Sequence, residues 1–128
     1  MKLFGVGTDI IRVNRLKRSL KNKSFLSRIF SAEEIFKCKK TKRNLNCFAK
    51  RFAAKEAFSK ALGTGISKGI YFNEIIILNE KNGKPYIKLH SRTKKIVEKK
   101  IKKKKYKISL SMSDEKDYAV AFVTISIW

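Results

Sequence analysis

The segment Arg51-Phe-Ala-Ala-Lys-Glu-Ala-Phe-Ser-Lys-Ala-Leu-Gly-Thr-Gly65 constrains the fold more than any other. Alanine, lysine, glutamate and leucine favour helix, no proline interrupts them, and Gly63 suits the left-handed residue that closes a last helical turn. Two unlike faces follow from its periodicity. Ala54, Ala57, Phe58, Ala61 and Leu62 recur at three- and four-residue steps and form an apolar stripe fitted to pack on a sheet. Phe52, Glu56 and Lys60 fall on successive turns of another face, so a carboxylate and an ammonium project together. Taken alone, that pair reads as a solvated contact worth roughly 0.3 to 0.5 kcal/mol. The stretch Leu3-Phe-Gly-Val-Gly-Thr-Asp-Ile-Ile11 alters the reading. It has strand character, and its period of two sets Gly5, Gly7 and Asp9 on one face. Glycine inside a strand marks close approach by a ligand or by another backbone.

The rest of the chain supplies elements around these two. Arg12 to Leu20 reads as a helix with Val13, Leu16 and Leu20 inward and the basic residues Arg15, Lys17, Arg18 and Lys21 outward. A short helix is expected at 25–30, and Ser31-Ala-Glu-Glu34 fits a capping box that opens another. Residues 37–46 read as a loop or a frayed helix end, with the long helix starting near Leu45. Ile70 to Leu78 and Pro85 to Leu89 are two strands of a hairpin turned at Asn82-Gly83. Ser91 caps a helix expected to reach about Lys105, with Ile96, Val97 and Ile101 inward. Ile108, Leu110 and Met112 alternate with serines, and Ala119 to Trp128 completes a terminal hairpin. The order predicts an α+β fold in which a mainly antiparallel sheet packs against a long central helix, as a single domain over residues 1–128.

Charge narrows the partners without choosing one. Thirty-two Lys+Arg against ten Asp+Glu give a formal net charge of +22 and forecast an anionic partner: nucleic acid, a membrane surface, a phosphorylated ligand or an acidic protein. The run Lys99 to Lys105 is the best argument for non-specific phosphate binding, but a solvated helix end favoured by the macrodipole accounts for it more simply. No aromatic RNA-binding pattern or zinc-finger spacing accompanies it. Cys38 and Cys47 show no CxxC spacing and no histidine cluster, so neither a metal site nor a disulfide is expected, and a reducing cytoplasm fits. No stretch approaches the ~18 apolar residues of a membrane span, and no signal-like apolar run develops at the N-terminus.

Several blocks match one family in order: Gly5-Val-Gly-Thr-Asp-Ile10, Arg51-Phe-Ala-Ala-Lys-Glu-Ala57, Lys60-Ala-Leu-Gly-Thr-Gly65, Asn82-Gly-Lys-Pro85, Leu110-Ser-Met-Ser113 and Tyr118-Ala-Val-Ala121. On these residues the chain resembles the holo-acyl-carrier-protein synthases, which are 4'-phosphopantetheinyl transferases of fatty acid biosynthesis. The resemblance implies transfer of 4'-phosphopantetheine from coenzyme A to a serine of apo-acyl carrier protein. Asp9 and Glu56 would hold Mg²⁺, with Lys60 beside them as a catalytic cation. Arg51, Lys60, Gly63, Thr64, Gly65 and Pro85 would lie in the coenzyme A region. Arg15, Lys17, Arg18 and Lys21 would receive the acidic carrier protein, and the family's homotrimer would set each site at a subunit boundary. Two hard carboxylates suit Mg²⁺, which shares oxygen ligands between one or two acids, waters and substrate phosphates. The base that takes the serine proton stays open between Glu56 itself and a water on the metal.

One departure matters. The family commonly carries histidine after the Ser-x-Ser of the penultimate strand, where this chain has Ser111-Met-Ser-Asp114, and its single histidine, His90, reads as structural. An aspartate cannot supply the same donor. Two alternatives therefore stand beside the transferase: a basic RNA-binding module, for which Asp9 and Glu56 are incidental, and a catalytically inactive coenzyme A-binding relative.

Overall fold

The computed structural model describes residues 1–63, 69–102 and 104–128. The chain opens with strand β1 (Lys2–Arg12), makes a 3-10 turn over Val13–Arg15, and continues through α1 (Leu16–Ser19), α2 (Lys23–Ile29), α3 (Ala32–Lys40) and the long α4 (Asn44–Leu62). A second 3-10 turn (Phe72–Glu74) leads to β2 (Ile75–Asn79) and β3 (Pro85–Leu89), followed by α5 (Ser91–Lys100), β4 (Tyr106–Asp114) and β5 (Tyr118–Ile127). The α+β class is as expected, but the strands form two sheets: a three-stranded antiparallel sheet in the order β1-β5-β4, and the separate hairpin β2-β3.

α4 lies against β1 and β5, and its packing goes beyond the single apolar stripe. Ala54, Ala57, Phe58, Ala61 and Leu62 are buried as predicted, and so are Ala49, Ala53, Arg51, Lys55 and Ser59. The helix is enclosed by the sheet on one side and by α3 and β2 on the other, which leaves little of it to solvent. Gly63 ends it in the left-handed conformation, φ +84°, and donates to the Ser59 and Lys60 carbonyls. β1 approaches α4 so closely that there is no space for side chains between them. A Cβ on Gly5 would sit 1.8 Å from the Ala61 carbonyl oxygen, and one on Gly7 would sit 1.9 Å from that of Ala57. The close approach marked by Gly5 and Gly7 is therefore that of a helix backbone.

Several expectations are revised. Strand β2 starts at Ile75 and not at Ile70, because the backbone over 72–74 turns to bury Phe72. α5 ends at Lys100: Ile101 turns into the core and Lys102 takes a left-handed conformation, φ +58°, so Lys104 and Lys105 flank β4 instead of prolonging a helix. The cap residue of α5 is His90, and no side chain caps it. Residues 12–20 divide into a 3-10 turn and a one-turn helix, although Val13 and Leu16 still face the core. The capping box is present, with Glu34 N donating to Ser31 Oγ and Ser31 N donating to Glu34 Oε1.

The expected absence of a disulfide is also corrected. Cys38 and Cys47 are bonded, joining α3 to α4 across their connection. The spacing gave no sign of this, because the helix, turn and helix between two cysteines nine positions apart fold back to bring their Cα atoms to 5.4 Å.

Candidate active site

β1 presents Asp9 and α4 presents Glu56 to one cleft of about 400 Å³, which Ile10, Ile11, Arg15, Leu16, Ser19 and Phe52 complete. The mechanics follow from the glycine contact. With Gly7 pressed on Ala57, the residue two positions along the same strand face comes level with the next open face of the helix. Lys60 then closes the group: its Nζ donates to the Thr8 carbonyl at 2.9 Å and lies 3.3 Å from Asp9 Oδ1. The Lys60 side chain is 55% exposed and that of Asp9 only 18%, so the cation reaches in from solvent to a sheltered acid.

Both acids resist ionisation. Burial pushes Asp9 above its ordinary value, against the hydrogen bond and charge of Lys60. Burial also raises Glu56, the Asp9 charge adds to the effect, and Lys60 opposes it. Two neighbouring carboxylates with one lysine, paired to Asp9, leave negative charge that a further cation would satisfy. Among the described residues no group of three or more His, Cys, Asp and Glu side chains gathers at one point, so the donor set is this pair. Mg²⁺ fits such a pair, because it commonly takes only one or two carboxylates and completes its shell with water and phosphate oxygens.

Arg15 lines the cleft, and Lys17, Arg18 and Lys21 are exposed on the segment that follows it, so the basic face borders the acid pair. The other coenzyme A candidates lie elsewhere in the chain. Arg51 is only 3% exposed. It donates through Nη2 to Asn79 Oδ1 at 2.9 Å and through Nη1 to the Cys47 carbonyl and sulfur, while its Nε has no partner among the described residues. It lines a second cleft of about 480 Å³ together with Lys42, Arg43, Lys50, Asn79 and Asp114. Pro85 opens β3, paired with Asn79 of β2. Gly63 is exposed with open space around it. Thr64 and Gly65 lie outside the described residues.

Asp114, where the resemblance led us to expect histidine, accepts from Asn46 Nδ2 at 2.9 Å and pairs with Lys50 Nζ at 3.4 Å. His90 is exposed, with Nδ1 2.7 Å from Ser91 Oγ.

Sequence reasoning missed a buried ion pair. Lys55 and Glu34 are wholly buried, with Lys55 Nζ 2.8 Å from Glu34 Oε1. Burial pulls the Lys55 ammonium down to about 8, with Glu34 opposing. One signal was available: Arg51, Lys55 and Ser59 recur every four residues and make a polar stripe on the central helix, the pattern of a second docking face.

The chain belongs to the 4'-phosphopantetheinyl transferase superfamily, whose profile matches residues 5–123. Within it the likeness is to one group. A "Holo-[acyl-carrier-protein] synthase" of Pelagibacter ubique is 46% identical over 125 residues, covering 98% of each chain. The crystal structure of holo-[acyl-carrier-protein] synthase from Neisseria meningitidis superposes with a TM-score of 0.86 at 39% identity, covering 97% of this chain and 98% of the other. That of a holo-(acyl-carrier-protein) synthase from Bacillus anthracis, in complex with CoA (3',5'-ADP), gives 0.80 at 35% identity over the whole of both chains.

Proposed function

We propose that this chain transfers the 4'-phosphopantetheine group of coenzyme A to a serine of apo-acyl carrier protein and releases adenosine 3',5'-bisphosphate. The observation that carries the reading is the cleft in which Asp9 and Glu56, both held above their ordinary pKa values, meet Lys60 beside a basic rim. The relatives supply the substrates through their names, and the Bacillus anthracis structure was solved with CoA (3',5'-ADP).

In the reaction the serine oxygen bonds to the phosphorus that carries pantetheine, the bond from that phosphorus to the bridging oxygen breaks, and the bridging oxygen leaves with the adenosine bisphosphate. Asp9 and Glu56 are the residues that would hold Mg²⁺. When bound, that ion neutralises diphosphate charge and polarises the phosphoryl group. Lys60 adds a point charge to the phosphates. Glu56, on the wall of the cleft, is the candidate to take the serine proton, directly or through one water. Arg15, Lys17, Arg18 and Lys21 dock the acidic carrier protein beside the cleft.

Arg51, Pro85 and Gly63 serve coenzyme A, and Thr64 and Gly65 complete that set. Arg51 and Glu56 occupy different faces of α4 and line different clefts, which suits a homotrimer whose sites form between subunits. The outer face of the three-stranded sheet supports such an assembly: Val6, Ile10, Val120 and Phe122 are exposed there, Ile10 at 66%. Among the described residues no helix is long and apolar enough to cross a membrane; cytoplasmic action is proposed from the reaction itself, since the Cys38–Cys47 bond removes the argument from unpaired cysteines.

The test is intact mass spectrometry of apo-acyl carrier protein incubated with this chain, coenzyme A and Mg²⁺. A phosphopantetheine mass gain that is lost with EDTA and in Asp9→Ala and Glu56→Ala is expected. No gain from the folded protein across several acidic carriers overturns the reading.

A further inference from the structure

We infer that Lys55, through its buried pair with Glu34, is a positioning residue for coenzyme A: it fixes the β2-β3 hairpin, and so Pro85, against the helix that carries Glu56. The inference rests on the transferase reading and on Pro85 as a coenzyme A residue.

The geometry begins with a buried strand edge that lacks a strand partner. Among the described residues β2 pairs only with β3, so its other edge faces the interior without a strand partner there. In a strand the groups of residues i and i+2 point to the same edge, and on that edge of β2 lie the Ile75 carbonyl and the Ile77 amide. Left unpaired there, each would cost free energy comparable to a lost hydrogen bond. The ion pair stands in for the missing strand. Lys55 Nζ donates to the Ile75 carbonyl, and Glu34 Oε2 accepts from Ile77 N at 3.1 Å.

The remaining valences are all directed. An ammonium has three protons, and those of Lys55 go to Glu34 Oε1 at 2.8 Å, to the Phe72 carbonyl at 2.7 Å and to the Ile75 carbonyl. Glu34 Oε1 also accepts from the Ser31 amide at 2.9 Å. One node thus ties the start of α3, the middle of α4, the 3-10 turn and β2.

An apolar pair of similar volume would avoid the desolvation of two ions, which is why buried ion pairs are weak evidence of stability. Here it would strand four backbone groups. Polar side chains are what this edge requires, and they give the hairpin a single docked position. One turn earlier, Arg51 donates to Asn79 Oδ1, Asn79 Nδ2 donates to the Gly83 carbonyl, and Asn79 faces Pro85 across the hairpin. Residues Arg51 and Lys55 of one helix therefore set where the turn and Pro85 lie, while Glu56 projects to the acid pair.

The experiment uses the full-length protein with apo-acyl carrier protein and Mg²⁺, and measures kcat and the KM for each substrate in Lys55→Met, Glu34→Gln and Pro85→Ala. Circular dichroism establishes that each is folded. Lys55→Met is expected to raise the KM for coenzyme A about tenfold or more, and Glu34→Gln, which keeps the shape and one acceptor, to raise it about threefold, with kcat and the carrier-protein KM changed less. If Lys55→Met does not fold, Glu34→Gln decides. An unchanged coenzyme A KM in the folded variants overturns the inference, as does a fall in kcat alone. If Pro85→Ala raises that KM and the other two do not, the reading of Pro85 stands and this inference falls. If only Pro85→Ala is without effect, the reading of Pro85 falls, and this inference, which rests on it, falls with it.

Discussion

Replacing Gly7 with alanine tests how the site is built, because the added methyl meets backbone rather than a side chain that can turn away. Its Cβ would lie 1.9 Å from the Ala57 carbonyl oxygen and 2.7 Å from the Ala61 nitrogen. Ordinary contact begins at 3.4 Å, so β1 and α4 must separate by about 1.5 Å. That movement spoils the packing of Ala54, Ala57, Phe58 and Ala61 against β5, where Ala119, Ala121 and Val123 are buried. Overpacking a core commonly costs about 1 to 3 kcal/mol, and a clash with rigid backbone belongs at the upper end, near ~3 kcal/mol. A domain of this size holds on the order of 10 kcal/mol, so the variant still folds.

The effect on catalysis is larger. Asp9 follows Gly7 on the same strand face, and a shift of ~1.5 Å breaks both Lys60 contacts, at 2.9 Å to Thr8 O and 3.3 Å to Asp9 Oδ1. Misplacement of reacting groups by ~1 Å can cost on the order of a hundredfold in rate. The assay is urea unfolding followed by circular dichroism, paired with kcat from the mass of carrier protein. Gly5→Ala should behave alike, and the double variant should cost less than the sum, since one separation accommodates both methyls. Ala57→Gly should not rescue Gly7→Ala, because the obstacle is the Ala57 carbonyl and not its methyl. Wild-type stability and rate in Gly7→Ala, or rescue by Ala57→Gly, would refute the reasoning.

The raised pKa values of Asp9 and Glu56 mean that their charged forms are a cost to the fold at neutral pH, relieved as the pH falls through the folded values toward the unfolded ones of 3.8 and 4.5. Asp9→Asn and Glu56→Gln should therefore raise the urea midpoint at pH 7 in EDTA and lose that advantage near pH 4, and Mg²⁺ should stabilise the wild type but neither variant. Opening the Cys38–Cys47 bond frees a loop with a sequence separation of nine and should cost about 2 to 3 kcal/mol, read as a lower urea midpoint with dithiothreitol and no further loss on adding it to Cys38→Ser. Reversing the charges of Arg15, Lys17, Arg18 and Lys21 together should raise the carrier-protein KM about tenfold or more and flatten its salt dependence, with the coenzyme A KM little changed.

What was legible in the sequence depended on local pattern. α4, its glycine end, the capping box at Ser31 and the turn at Asn82-Gly83 each carry their cause within a few residues, and the structure has each where local pattern puts it. Gly5, Gly7 and Asp9 were placed on one face by period alone, but the neighbour that needs the glycines could not be named from β1 itself. The Lys55–Glu34 pair was missed for a different reason. Pattern reading assigns charge to the surface, and this pair is inside because an unpartnered strand edge comes to lie over it, a tertiary fact. The disulfide and the early end of α5 have the same character, since each depends on where a chain returns in space.

α4 keeps three tasks apart by angle. Ala57 and Ala61 face the glycines of β1, Glu56 and Lys60 face Asp9, and Arg51 and Lys55 face the hairpin. Successive residues on a helix differ by about 100°, so Lys55 and Glu56, though adjacent, are committed to different walls. Their surroundings differ accordingly. Lys55 is closed in by acceptors that use all its protons, whereas Glu56 keeps a carboxylate open to a cleft and accepts a raised pKa to do so. A charge that is buried and fully paired has only the fold to serve; one that is half-buried at a cleft, as Glu56 is, stays open to a ligand. By that criterion the helix itself distinguishes its two kinds of charged residue, and Arg51, buried with one nitrogen unpartnered beside a basic cleft, sits between them.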